Sequence, residues 1–330
     1  MKFTKLITEG GESELEHRFQ FASDVLKGLS AEKKFLLPKY FYDDAGSDLF
    51  QKITGHADYY LTNVEFDVLD RIKHDLHAHL DVARLDLVEL GAGDGHKSKL
   101  VVDGLLDKSI EVNFCPIDIS EMAMRQLQDN FEPRKGLSIH GVVAEYMQGV
   151  KYLRQNSSEK QLVLCLGSNV GNFGVKERRE FLLNLWNNLE DGDYVLIGFD
   201  LKKDISKLVA AYNDSSGYTR EFNLNFLRRM NRELGADFDT EAFYHHGFYN
   251  PTLGAMESHL VSLKEQRVYL KELKKHIHFE EYESIHMEYS YKFSKAGIAR
   301  LAAEVGFETV TNFYDKDHYF VDALWKVRKT

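Results

Sequence analysis

The residues with types and spacing suited to chemistry sit at the ends of apolar runs. In "DLVELGAGDG", Asp86 to Gly95, an apolar run ends in Gly91, Gly93 and Gly95, spaced G-x-G-x-G, with Glu89 just before them. Such a turn lets backbone approach a ligand closely and aims the free N–H groups of a following helix outward. Three ligands suit it: the pyrophosphate of a dinucleotide, the phosphates of a nucleotide, or a nucleoside without phosphate. The dinucleotide fingerprint G-x-G-x-x-G places its third glycine one position later, and no Gly-Lys-Ser/Thr follows. Glu89, and Asp118 in "CPIDIS", repel phosphate but suit ribose hydroxyls and a cationic centre. Asp118 lies about 27 residues beyond Gly91, where an acid closing the second strand receives a ribose. S-adenosylmethionine fits this combination. A plain strand-to-helix turn, with Asp118 capping a helix that begins at Ile119, has the same signature.

A second candidate turn ends the apolar run "QLVLCLGSNVGNF", which carries Gly167, Ser168, Asn169, Gly171 and Asn172 at the carboxyl edge of a strand, where open sheets bind ligands. A structural turn rich in Gly and Asn looks similar. No metal-ligand spacing involves Cys115 or Cys165, and no metal is expected; both thiols sit in apolar segments and read as buried and reduced.

The elements that hold these turns follow from the rhythm beyond residue 80, where short apolar runs alternate with helical patterns, as in a parallel sheet covered by helices. Strands are expected at 85–91, 112–118, 138–143, 161–167 and 193–200. "HKSKLVVDGLLD" and "ERREFLLNLWNNLEDG" carry apolar residues at three- and four-residue spacing and read as crossover helices. From about 205 to 285 the rhythm changes to two helices and then alternating strands, an insertion forming a second lobe. "SKAGIARLAAEVGF" reads as a helix ending at Gly306, and "ETVTNFYD" and "YFVDALWKV" as a closing hairpin.

Composition bounds the partners. With 330 residues, 43% of them hydrophobic, the chain can bury a sizeable core. The formal charge of -10 and the scattering of Lys and Arg among acids disfavour nucleic acid. No run approaches the ~20 apolar residues of a membrane span, and the amino terminus has no apolar signal core, so a cytoplasmic protein without membrane association is expected.

Several stretches together resemble one family, the S-adenosylmethionine-dependent histidine Nα-methyltransferases of ergothioneine biosynthesis and their relatives acting on other amino acids. They are "LPKYFYDDAGSDLFQKITGHADYYLTNVE", "LVELGAGDGHKSKL", "PIDIS", "LGSNVGNF", "AAYNDSSGYTREFNLNFLRRMNRELGADFD" and "HMEYSYKFS", in order across about residues 35–295. The resemblance implies an α/β fold: a Rossmann-like class I methyltransferase core, with a mostly parallel seven-stranded sheet and a terminal antiparallel hairpin, plus a second α+β substrate-binding domain. It assigns 61–204 and 286–330 to the core and 1–60 and 205–285 to the substrate domain. The cofactor site would use Gly91, Gly93, Lys97, Asp118 and Gly167, with Glu145 and Tyr146 near the adenine, where the family usually has Asp and Phe.

For the amino acid, the resemblance implies Asn172 and Tyr212 on the carboxylate, Tyr42 near the reacting amine and Phe50 along the wall. Tyr59, Glu288 and Ser290 would read the imidazole. The catalytic positions would be Tyr42 and Asn172. Ser258 stands where histidine-specific members usually have methionine. Without the family, Glu288 reads as the polar face of a strand, Tyr212 as core and Tyr59-Tyr60 as packing. The implied reaction is methylation of the α-amine of free L-histidine, three times, by a monomer. The alternatives are another aromatic amino acid as substrate, a protein N-terminal methyltransferase, a non-catalytic S-adenosylmethionine-binding module, or a dehydrogenase.

Overall fold

A computed structural model of the chain describes residues 2–6 and 11–329. Its strands, in chain order, are β1 (Lys2–Lys5), β2 (Arg84–Leu90), β3 (Glu111–Asp118), β4 (Leu137–Val143), β5 (Gln161–Cys165), β6 (Tyr194–Asp200), β7 (Phe243–Asn250), β8 (Ala255–Ser262), β9 (Gln266–Leu270), β10 (Lys275–Phe279), β11 (Ser284–Tyr291), β12 (Phe307–Tyr314) and β13 (Phe320–Val327). The chain divides into two compact units. The first comprises Met1–Thr8, Asn63–Lys202 and Phe293–Thr330; the second comprises Glu9–Thr62 and Lys203–Lys292.

The first unit holds an eight-stranded sheet in the order β1-β4-β3-β2-β5-β6-β13-β12. β2 to β6 run parallel to one another, whereas β13 pairs antiparallel with both β6 and β12. All residues of β5 and β6 are buried, the near-continuous apolar run of a strand covered on both faces. The strands expected near 85–91, 112–118, 138–143, 161–167 and 193–200 are β2 to β6, within a residue or two at each end. β5 stops at Cys165, short of the expected 167, because Gly167 turns the chain with φ +77°. The crossover helices are His96–Asp107 and Val175–Asn188, and the closing hairpin follows a helix at Lys295–Glu304.

The structure departs from the expected seven strands and from the expected boundaries. Lys2–Lys5 pairs parallel with β4, Lys2 opposite His140 to Lys5 opposite Val143, and adds an eighth strand at the edge. Four residues at an exposed edge carry too short an apolar pattern to be read as a strand. At the other boundary, residues 286–292 group with the second unit, because β11 pairs along its length with β8.

The second unit contains a three-stranded sheet in the order β11-β8-β7, a two-stranded ribbon of β9 and β10, and helices that include Gly11–Leu29, Asp44–Thr54, Ile205–Tyr212 and Tyr218–Leu234. Its core joins helix and sheet residues such as Phe21, Phe41, Phe226, Leu260, Phe279 and Ile285. Asp43 caps the Asp44–Thr54 helix by accepting from Gly46 N–H at 2.8 Å, and it also pairs with Arg232 at 2.5 Å and Asn225 at 2.7 Å on Tyr218–Leu234. One aspartate thus sets a helix start and ties two helices together.

Candidate active site

In the first unit the glycine turn forms where β2 ends. Gly91 and Gly93 both adopt left-handed backbone, φ +73° and +53°, a region that glycine enters without steric cost. They differ in surroundings. A Cβ on Gly91 would lie 2.6 Å from Tyr146 Oη, whereas one on Gly93 would meet nothing within 4 Å, so Gly93 backbone faces open space. Gly95 precedes the His96–Asp107 helix as its N-cap.

Asp118 ends the neighbouring β3, and its carboxylate accepts from Ser120 N–H at 2.9 Å and from Gly93 N–H. Burial pushes its pKa above the usual aspartate value, and these backbone donors hold it back. The helix that follows begins at Glu121, two residues beyond the Ile119 start of the plain-turn alternative. Tyr146 opens the Tyr146–Asn156 helix after β4 and stands over the turn; burial raises its phenol far above the ordinary range. Glu145 is exposed and makes no side-chain cap on that helix.

Lys97, the second residue of the His96–Asp107 helix, pairs with Glu65, a fully buried acid on Leu61–Ile72. Glu65 also accepts from Gly167 N–H, at 2.7 and 2.9 Å to its two oxygens. A single carboxylate therefore fixes both the lysine that follows the glycine turn and the backbone of the second candidate turn. Burial opposes the charge on Lys97, but Glu65 outweighs it and the lysine pKa rises. Two more buried acids stand near this pair. Burial pushes Glu89 up to about 8, with Ser98 and Lys97 opposing, and its Oε2 has no hydrogen-bond partner. Burial and then the charge of Glu65 push Asp322 well above the aspartate range, and neither of its oxygens is hydrogen-bonded. A buried acid with an idle oxygen fits a cationic ligand better than a phosphate.

Gly91, Gly93, Lys97, Asp118, Tyr146 and Gly167 are thus brought together by direct contacts or through Glu65. Asn172 closes the short 3-10 turn Asn169–Asn172 that follows Gly167.

In the second unit the candidate amino-acid residues fall into two groups. Tyr42 and Phe50 pack edge to face at 5.4 Å, and both rest on Phe222. Tyr59 meets Tyr212 at 6.4 Å between ring centres. Tyr212 donates its hydroxyl to Ser290 Oγ at 2.6 Å, and the buried Lys292 donates to both, at 3.0 Å to Tyr212 and 2.8 Å to Ser290. Ser290 and Glu288 lie on one face of β11, and Glu288 stands opposite Ser258 of β8. Glu288 is half-buried, and burial pushes its carboxyl up to about 7 against the pull of Lys292.

Glu65, Asp322 and Lys292 escaped the reading of the sequence. Glu65 lies in the helical run "LTNVEFDVLDRI", where an acid reads as solvated surface. Asp322 interrupts the apolar strand "FVDALWKV", and a charge inside such a run is the signal that could have found it. Lys292 alternates with Ser290 and Glu288 and reads as the outer face of a strand.

An acid-flanked glycine turn at the carboxyl end of β2, on a parallel sheet whose strand β13 runs antiparallel, suits a nucleoside with a cationic centre, and the family model that the chain matches is that of S-adenosylmethionine-dependent methyltransferases. Comparison with known proteins narrows the class. The chain belongs to the family of S-adenosylmethionine-dependent, histidine-specific methyltransferases, whose family model matches residues 21–327. It is similar to the histidine N-alpha-methyltransferase of Mycolicibacterium smegmatis, at 35% identity over 285 residues covering 86% of this chain and 87% of that protein. The corresponding protein of Mycobacterium tuberculosis is 32% identical over 295 residues, covering 89% of this chain and 90% of that protein. Ergothioneine biosynthesis protein 1 of Neurospora crassa is 28% identical over 303 residues, and the match spans 87% of this chain but 32% of the fungal protein.

Proposed function

We propose that the protein methylates the α-amino group of free L-histidine three times to give Nα,Nα,Nα-trimethylhistidine, for ergothioneine biosynthesis. S-adenosylmethionine, when bound, supplies a methyl group on a cationic sulfur, open to in-line displacement by a nitrogen lone pair. The chain's residues then have to position the amine, exclude water and take away a proton before each transfer. Gly91, Gly93, Lys97, Asp118 and Gly167 hold the donor, with Glu145 and Tyr146 near its adenine. Asn172 and Tyr212 take the substrate carboxylate, Phe50 forms a wall, and Tyr59, Glu288 and Ser290 read the imidazole. Tyr42 and Asn172 orient the amine and, with water, let its proton leave.

The observation that carries this reading is Glu288: a carboxyl on a sheet face, opposite Ser258, beside the hydrogen-bonded set of Tyr212, Ser290 and Lys292. Hydrophobic packing has no use for such a group, whereas an imidazole N–H does. A site built for that bond rejects side chains that cannot make it. The same reading gives a cytoplasmic monomer; the two buried free thiols Cys115 and Cys165 agree with a reducing compartment, and among the described residues no helix is long and apolar enough to cross a membrane.

The test supplies methyl-labelled S-adenosylmethionine with free amino acids one at a time and reads product masses. Histidine gaining up to three methyl groups supports the reading. Transfer to tryptophan or tyrosine in preference to histidine would contradict it and point to Ser258 as the residue that changed the pocket.

A further inference from the structure

On the β11-β8-β7 sheet, the face opposite Ser258, Glu288 and Ser290 carries a second group of polar side chains to which the methylation chemistry gives no role. Glu257 and His259 are two residues apart on β8 and therefore share that face, and His286 stands directly across from His259 on β11. Their ligating atoms all lie within 4.8 Å of one another. His259 Nε2 is 3.2 Å from Glu257 Oε2, and His286 Nε2 is 3.9 Å from the same oxygen. Tetrahedral ligands at the usual metal–nitrogen and metal–oxygen lengths of about 2.0–2.2 Å stand roughly 3.3 Å apart, so small side-chain adjustments close the three around an ion.

The surroundings have the layout of a ligand site. Ser284 Oγ lies 3.3 Å from His259 Nδ1 and can accept that N–H when an ion takes the place of the proton shared between His259 Nε2 and Glu257 Oε2. Asn250 Nδ2 donates to Glu257 Oε1 at 2.8 Å, so the carboxylate is held by one oxygen with the other turned toward the histidines. His286 Nε2 is buried without a hydrogen-bond partner. Two imidazoles and one carboxylate suit a borderline divalent cation and leave a coordination position for water.

We propose that Glu257, His259 and His286 bind one divalent transition cation of the zinc class. The ion ties β8 to β11 where their register shifts between His286 and Glu288, on the reverse of the strand pair that presents Ser258 and Glu288. The inference stands on side-chain geometry alone and does not depend on which amino acid is methylated.

The experiment titrates chelator-treated, full-length protein with Co²⁺, followed by its visible absorption, then displaces it with Zn²⁺. One equivalent of Co²⁺ with the absorption of an N,O-ligated ion is expected. His259→Ala and Glu257→Gln should each raise the dissociation constant about 100-fold or more, and Ser284→Ala about 10-fold. Circular dichroism checks that each variant is folded, and the wild-type titration with Ser284→Ala decides the matter if a ligand variant is not. Exchange of His276 and His278, exposed on β10, should leave binding unchanged. Absence of stoichiometric binding, or binding lost with His276 and His278 but kept in Glu257→Gln and His259→Ala, would overturn the proposal.

Discussion

The two units meet their chemical demands by different means. The turn proposed to hold the donor in the first is built largely from main chain: left-handed glycines, N–H groups given to Asp118 and Glu65, and a lysine fixed by one buried acid. The residues proposed for the amino acid in the second are side chains gathered from a helix and from neighbouring strands, with Tyr212, Ser290 and Lys292 joined by hydrogen bonds. Backbone geometry is intolerant of any added atom but indifferent to chemistry. Side-chain sets tolerate reshaping, and each change alters what they select. The donor unit should therefore fail through sterics and the acceptor unit through specificity.

That contrast breaks most visibly at Glu288. Replacing it with Ala should lower kcat/KM for histidine by roughly 10³-fold, because a charged hydrogen bond is lost and the pocket's selection with it. Binding of S-adenosylhomocysteine, measured by calorimetry, should stay unchanged. In the first unit, Gly91→Ala meets both left-handed strain and Tyr146 Oη, and cofactor affinity should fall about 100-fold. Gly93→Ala carries strain without the clash and should lose distinctly less in the same titration. Equal losses would show that the close approach of Tyr146 does not matter.

Glu65→Gln sharpens the comparison further. It keeps an acceptor for Gly167 N–H but removes the charge partner of Lys97, so cofactor affinity should fall at least about 10-fold, with KM for histidine at saturating cofactor little changed. The pH dependence comes next. Burial raises the free-enzyme value of Glu288 to about 7, and the ionised form is the better acceptor for an imidazole N–H. The kcat/KM profile for histidine should therefore fall as pH drops through about 7, and Glu288→Gln should remove that limb. Ser258→Met is the smallest change: a bulkier side chain opposite Glu288 should shift the ratio of histidine to tryptophan turnover a few-fold toward histidine.

The two units also differed in how far the sequence disclosed them. Glycine spacing, Asp118 and the period of the apolar runs placed β2 to β6 and the glycine turn, since local backbone demands leave local signatures. Glu65 left none, because its partners Lys97 and Gly167 are 32 and 102 positions away. In the second unit, Glu288 opposite Ser258 is a register fact, and a single strand does not state its register. Tyr212 has core spacing on its helix, and its link to Ser290 spans 78 positions. The family resemblance pointed to those residues; periodicity alone did not. β1 was missed because an exposed four-residue edge strand has almost no pattern to read.

In the proposed assignment Glu288 makes the second unit a histidine reader. Calorimetry with S-adenosylhomocysteine present, comparing histidine with tryptophan in the wild type and in Glu288→Ala, tests it most directly. Histidine should bind the wild type far more tightly than tryptophan does, and the variant should lose that preference. Tryptophan binding the wild type as tightly as histidine, or a preference that survives the substitution, would contradict it.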